Sequence, residues 1–283
     1  MPHVRLADGL NMAYDIHDAG ASDGLPVLMV MGFGLPGRVW RYIVPELAPE
    51  RRVITFDNRG AGKTDATAGG YRMRQLAADA MHLLDHLGIE RVHLVGVSMG
   101  GMVSQEIALE HRARIASLSL LATHPGGMVN RLPRAAGAWH FLSANFARSR
   151  PDRLRAVSRL LFPRAFREQV GERWLMDVLS EDFAEPPSLT GRRGQLAAVF
   201  HHDTRARLAR LAGLPTLIVK PEADLLVNPR NSEVLHEAIP GSTIVRYADA
   251  GHGLIRQKGP ELGQALRAHF GTAEVAPRTA AAP

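Results

Sequence analysis

Two hydrophobic patterns alternate along the first half of the chain. Short apolar runs, typical of strands buried on both faces, lie at 27–31, 52–56, 92–97 and 115–122, and a strand-like alternation lies at 11–16. Apolar side chains at helical spacing lie between them, at 38–47, 73–87 and 99–111. Apolar strands that alternate with helices predict an α/β fold, with a mostly parallel, doubly wound sheet covered by helices on both faces.

This alternation stops at P-G-G, residues 125–127, and returns after residue 201. Residues 128–201 are helical in pattern and rich in arginine, whereas strand, helix, strand and helix patterns follow at 214–220, 230–239, 242–247 and 260–270. We therefore predict an α/β core formed by residues 1–127 and 202–270, with an inserted helical cap at 128–201. The Ala-, Pro- and Thr-rich tail, 271–283, is predicted to be disordered.

Composition narrows the class of protein. The 283 residues are 46% hydrophobic and 22% charged, as in an ordinary globular protein, which excludes disorder of the whole chain. The net charge is +6, but the basic stretch at 131–167 is followed by an acidic one at 168–185, so a solvated segment is favoured over a nucleic-acid surface. The chain has no cysteine, which excludes disulfides and thiolate chemistry.

No signal-peptide pattern and no apolar run of membrane-spanning length is found, so we expect a soluble, cytoplasmic protein without nucleic-acid or membrane partners. The sequence does not determine the oligomeric state.

The strongest chemical signal is G-V-S-M-G at residues 96–100, which lies between a predicted strand and a predicted helix. This is the G-x-S-x-G pattern of a nucleophile elbow in the context that the elbow requires. The glycines are needed because side chains two positions either side of a strained serine would collide with the turn. The helix that begins after Ser98 supplies N–H groups and a positive dipole end for a developing oxyanion.

A serine nucleophile needs a general base and an acid that orients the base. His252 follows the last predicted strand between two glycines, and Asp224 follows the strand at 214–220. The chain order Ser98, Asp224, His252 is the order of this fold. Glu222 competes with Asp224 for the acid role.

An oxyanion hole requires two hydrogen-bond donors. The N–H of Met99, directly after the nucleophile, is the first candidate. The N–H of Phe33 is the second, because M-G-F-G at 31–34 follows the strand at 27–31.

At these residues the chain resembles α/β-hydrolase-fold proteins of the helical-cap type, which include esterases, enol-lactonases and cofactor-free haloperoxidase-like perhydrolases. The segment F-D-N-R-G-A-G-K-T at 56–64 is similar to a turn of that family that shapes the pocket floor. Two positions differ from the family pattern: Met31 stands where a histidine is usual, and Pro221 stands where a glycine is usual before the acid.

Two other patterns are set aside. G-A-G-K-T at 60–64 ends like a phosphate-binding loop, but Asp57 occupies the position of its first glycine. The adjacent residues H-H-D at 201–203 point in different directions on a helix, and three such ligands in a row seldom converge on a metal, so they are interpreted as a hinge between cap and core. We predict no cofactor and no metal.

The residues therefore favour hydrolysis of a small carboxylic ester or lactone through an acyl-enzyme on Ser98. The same triad is compatible with perhydrolysis, acyl transfer or C–C bond hydrolysis. A non-catalytic ligand-binding protein on this scaffold is the remaining alternative.

Overall fold

One eight-stranded sheet organises residues 1–18, 20, 24–127 and 135–275, which are the residues that the computed structural model describes. The sheet order is β1-β2-β4-β3-β5-β6-β7-β8. The strands are β1 (His3–Arg5), β2 (Asn11–His17), β3 (Val27–Val30), β4 (Val53–Phe56), β5 (Val92–Val97), β6 (Ile115–Leu121), β7 (Thr216–Pro221) and β8 (Thr243–Tyr247). β2 pairs antiparallel with β1 and β4, and the other neighbours pair in parallel.

Helices cover both faces of this sheet. The helices are α1 (Val44–Leu47), α2 (Met73–His86), α3 (Met99–Glu110), α4 (Ala135–Phe146), α5 (Arg150–Leu161), α6 (Arg164–Asp182), α7 (Leu189–His201), α8 (Arg230–Ala238), α9 (Leu254–Gln257) and α10 (Gly259–Val275). α2, α3 and α8 contribute to one hydrophobic core, and α1, α9 and α10 contribute to the core on the other face. The strands supply both cores: in β3, Leu28 packs in the first and Met29 in the second. The predicted doubly wound α/β fold is confirmed.

The inserted helices α4–α7 form a layer, in which α5 and α6 enclose a small apolar core with Phe162 and Leu179 buried. The chain leaves the α/β core after β6 and re-enters it before β7 at the same place, where Gly126 and Asp203 form an isolated β-bridge. The layer contacts loops that follow sheet strands: the Tyr71 N–H donates to the Gly194 carbonyl of α7 (3.2 Å). Residues 128–134, at the start of the predicted cap, lie outside the described residues.

Two sequence expectations differ from the structure. The predicted helix at 38–47 is a 3₁₀ turn, Gly37–Tyr42, followed by the short α1, which has a proline in its first turn. The prediction of a disordered tail from residue 271 is wrong for 271–275, because α10 continues to Val275. Glu274 anchors this last turn by accepting two hydrogen bonds from Arg51, at 2.6 and 2.8 Å. Residues 276–283 lie outside the described residues.

A search of the described residues finds no helix with the length and apolar character needed to cross a membrane.

Candidate active site

The turn between β5 and α3 holds Ser98 in a strained conformation. Its φ of 54° and ψ of −121° lie in a region that non-glycine residues rarely adopt. The flanking glycines make the turn possible, since a Cβ on Gly96 would collide with the backbone of Gly100, and a Cβ on Gly100 would collide with the carbonyl of Val30. The serine is therefore positioned above the carboxyl end of β5, at the N-terminus of α3.

A hydrogen-bonded chain connects three side chains from distant parts of the sequence. His252 Nε2 lies 3.0 Å from Ser98 Oγ, and His252 Nδ1 lies 2.7 Å from Asp224 Oδ2. The carboxylate accepts a hydrogen bond from the Nδ1–H group, which leaves Nε2 as the acceptor for the serine hydroxyl. The structure thus brings together Ser98, His252 and Asp224 in the geometry of a proton relay.

Asp224 is held in place by its own loop. The residue is fully buried, and its Oδ1 accepts hydrogen bonds from the N–H groups of Leu226 (2.8 Å) and Val227 (2.9 Å). These bonds fix the position of the carboxylate. The competing acid, Glu222, instead pairs with Lys220 at 3.3 Å. Of the two acids weighed from the sequence, the structure therefore brings Asp224 to the histidine.

The cap supports the loop that carries His252. The N–H of Gly253 donates to the carbonyl of Leu161, at the end of α5, over 2.9 Å. The ring of Phe162 packs so closely on Gly253 that a side chain there would collide with it. The cap helix and the histidine loop are therefore packed as one unit.

The candidate oxyanion donors lie on two sides of the serine. A Cβ built on Gly32 would lie 3.3 Å from the Cβ of Ser98, which places the turn containing Phe33 beside Ser98. Met99 begins α3 directly after Ser98. Within the described part of the chain, neither the Phe33 N–H nor the Met99 N–H donates to a protein acceptor. Both groups are available to a developing negative charge.

Sequence reasoning missed a cap residue that holds this turn. Gln195 of α7 is fully buried; its Oε1 accepts from the Gly34 N–H (2.8 Å), and its Nε2 donates to the Arg59 carbonyl (2.9 Å). A single glutamine in an arginine-rich helix carries no sequence signal of such a role. Gln195 joins the turn at 31–34, named the oxyanion turn for its candidate donor Phe33, to the turn at 56–64.

That second turn supports the oxyanion turn from the core side. Asn58 donates from Nδ2 to the carbonyl of Met31 (2.9 Å). Asp57 accepts from the N–H groups of Gly37 (2.6 Å) and Lys63 (2.8 Å). Burial raises the pKa of the Asp57 carboxyl, and these two N–H groups oppose that rise.

Two buried histidines lie close together: His124, which follows β6, and His202, which follows α7. The carbonyl of His124 accepts from Gln105 Nε2 (3.2 Å), and its ring centroid lies 6.2 Å from that of His202. Both rings are buried. No group of three or more histidine, aspartate and glutamate side chains that could hold a metal ion occurs among the residues the structure covers.

A buried ion cluster, also missed from the sequence, joins the cap to the core behind the histidine loop. Asp182, at the end of α6, is fully buried and pairs with Arg256 of α9 and with Arg41 (2.9 Å). Burial lowers the pKa of Arg256 to about 10. Arg256 follows His252 by four residues, so this cluster fixes the cap to the segment that carries the candidate base.

The sheet order, the serine on a strained turn after β5 and the histidine after β8 together define an α/β hydrolase. The sequence model of the alpha/beta hydrolase fold family matches residues 26–258, and the chain belongs to this family.

Several relatives carry hydrolase names. RutD of Pseudomonas savastanoi pv. phaseolicola, named as a candidate carbamate hydrolase, is 28% identical over 243 residues, which cover 85% of this chain and 92% of RutD. A thermophilic esterase from Thermogutta terrifontis is 26% identical, with a TM-score of 0.78 and coverage of 96% of this chain and 99% of the esterase. The enol-lactonase from Burkholderia xenovorans has a TM-score of 0.79 at 22% identity, covers 95% of this chain and 100% of its own, and supports the fold alone.

Proposed function

We propose that this protein is a serine hydrolase that cleaves a small carboxylic ester or lactone through an acyl-enzyme on Ser98. The observation that carries the proposal is the hydrogen-bonded chain from Asp224 through His252 to Ser98. A histidine whose Nδ1 is held by a buried carboxylate can accept the serine proton and stabilise the charge that follows.

In the proposed reaction, Ser98 Oγ attacks the substrate carbonyl carbon while His252 Nε2 takes the hydroxyl proton. The N–H groups of Phe33 and Met99 hold the oxygen of the tetrahedral intermediate. His252 then gives its proton to the leaving alkoxide, which departs as an alcohol or as the opened end of a lactone. Water, deprotonated by His252, hydrolyses the acyl-enzyme. Each oxyanion donor contributes about 2.7–4 kcal/mol to transition-state stabilisation.

A carbamate is a second candidate substrate. RutD, whose name gives a carbamate as its substrate, covers most of this chain. A carbamate carbonyl would meet the same nucleophile and oxyanion donors, so the choice between ester and carbamate depends on how the leaving group fits beneath the cap.

The test is a rate comparison across p-nitrophenyl esters of increasing acyl length, a set of lactones and a p-nitrophenyl carbamate. We expect ester or lactone turnover in the wild type and its loss in Ser98→Ala, with a fluorophosphonate probe labelling only the wild type. Product analysis with peroxide or an alcohol present separates hydrolysis from perhydrolysis and acyl transfer.

Matched histidine variants serve as controls. His252→Gln should abolish turnover, whereas His201→Gln, on the exposed face of α7, should leave it unchanged. Full ester turnover by Ser98→Ala would contradict the proposal. A wild type that neither turns over any of these substrates nor reacts with the probe would favour a ligand-binding protein.

A further inference from the structure

A pocket lies on the cap, between α5 and α6, and its lining contains none of the triad residues. Its volume is about 390 Å³. The charged groups of its lining are Arg155, Arg159, Arg164, Arg167, Glu168 and Glu172. These groups leave the wall with an excess of two positive charges.

The two acids of the pocket are already paired. Glu172 Oε1 accepts from Arg155 Nε at 2.7 Å, and Glu168 Oε1 accepts from Arg164 Nε at 2.6 Å. The excess positive charge therefore resides on the other two arginines.

Those two arginines, Arg159 of α5 and Arg167 of α6, form no ion pair with any carboxylate in the described ranges. Arg167 is half-buried and donates from Nε to the carbonyl of Phe162 at 3.2 Å. Its remaining guanidinium N–H groups are thus free to bind an oxyanion.

The positive charges of this pocket act on one another. Burial and then the charge of Arg159 lower the pKa of Arg167; the charge of Glu168 opposes this shift, and the charge of Arg164 adds to it. Burial lowers the pKa of His140 on α4, and the charges of Arg159 and Arg167 lower it further. Three cap helices thus direct basic groups towards one region, and a bound anion would relieve their repulsion.

We propose that this pocket binds a small dianion, a dicarboxylate or a phosphate group, between the guanidinium groups of Arg159 and Arg167. A guanidinium presents a planar fork of donors that matches two oxygens of a carboxylate or phosphate. A ligand with two negative charges balances the two excess positive charges of the wall. The site does not depend on the chemistry of Ser98.

The test is calorimetric titration of the full-length protein at low ionic strength with malonate, inorganic phosphate and, as a monoanion, acetate. We expect saturable binding of at least one dianion at one site per chain, weaker binding of acetate, and loss of affinity as sodium chloride is added. Arg159→Gln and Arg167→Gln should each weaken dianion binding about tenfold, the loss typical of one charge-assisted hydrogen bond.

The matched control is Arg153→Gln, which removes the same charge from an exposed position of α5 that does not line the pocket. Its affinity should stay within about twofold of wild type, because surface charges contribute little. Equal weakening by Arg153→Gln would mean that a diffuse positive field, and no built site, attracts the anion. Absence of saturable binding of both dianions would also overturn the proposal.

A variant that is expected to bind more tightly than wild type separates a change at the site from loss of binding through misfolding. Glu172→Gln removes a competing carboxylate and frees Arg155, so it should bind the dianion several times more tightly than wild type. Unchanged or weaker affinity in this variant contradicts the proposal. Ser98→Ala should bind as wild type does, and loss of binding in that variant would place the anion at the triad instead.

Discussion

Replacing Asp182 by alanine should destabilise the protein through the arginine that it leaves buried. The Asp182 side chain is fully buried, and that of Arg256 is only 2% exposed. Arg41 is 31% exposed and also pairs with Glu181 at 2.9 Å, so water and Glu181 can replace the contact that Arg41 loses with Asp182. Arg256 is buried, and the Tyr42 ring, 5.4 Å from its guanidinium carbon, attracts the cation but does not neutralise its charge.

The magnitude follows from this asymmetry. Removing one partner of a buried ion pair costs about 3–5 kcal/mol, and the exposure of Arg41 places Asp182→Ala near the lower end, at about 3 kcal/mol. For a chain of this size that corresponds to a fall in Tm of roughly 6–12 °C. Urea unfolding followed by circular dichroism measures the free energy, and a thermal scan measures the Tm.

Two further variants give this experiment its controls. Asp177→Ala removes the same charge from an exposed position of the same helix and should cost less than about 0.5 kcal/mol. The double variant Asp182→Leu with Arg256→Met replaces the pair by apolar groups and should recover most of the loss. If Asp182→Ala is no less stable than Asp177→Ala, or the double variant is no more stable than the single one, the reasoning about the buried charge is wrong.

Three other outcomes are expected. Gln195→Leu removes the acceptor of the Gly34 N–H and should lower kcat by about tenfold or more with a smaller change in KM, since the oxyanion turn loses its cap contact; an unchanged kcat in the ester assay refutes this. Gly100→Ala forces a Cβ against the carbonyl of Val30 and should cost more than about 2 kcal/mol in urea unfolding; wild-type stability would contradict the close approach. Burial lowers the pKa of His93 from 6.5 to about 4, so between these pH values the unfolded chain binds a proton that the folded chain excludes. The free energy of unfolding should therefore decrease as the pH is lowered from 6.5 to 4. The His93 share of that fall is at most about 3 kcal/mol, and His93→Gln should flatten the measured pH profile by a comparable amount.

Local patterns sufficed to predict the elements that position Ser98. The apolar run of β5, the glycines of the elbow and the start of α3 are neighbours in sequence, so the strain at Ser98 could be inferred from the motif. The buried parallel strands were also predictable, because both faces of each strand pack against helices and the strand sequence is therefore a continuous apolar run. The doubly wound sheet and the chain order of the three candidate catalytic residues therefore followed from the sequence.

Other features required the folded chain, because they join residues that no local pattern relates. Asp224 and Glu222 are two positions apart, and only the path of the loop after β7 decides which carboxylate reaches His252. The extent of α10 depended on Glu274 meeting Arg51, more than two hundred positions away.

The cap shows the same division most clearly. Its helical character was predictable from the sequence pattern, but the contacts of Gln195 and Asp182 with the core were not. A helical pattern states which side chains share a face, and it carries no information on which distant surface that face will meet. The sequence alone therefore determined the scaffold and the candidate nucleophile, whereas tertiary packing decided how the cap holds the oxyanion turn and the histidine loop.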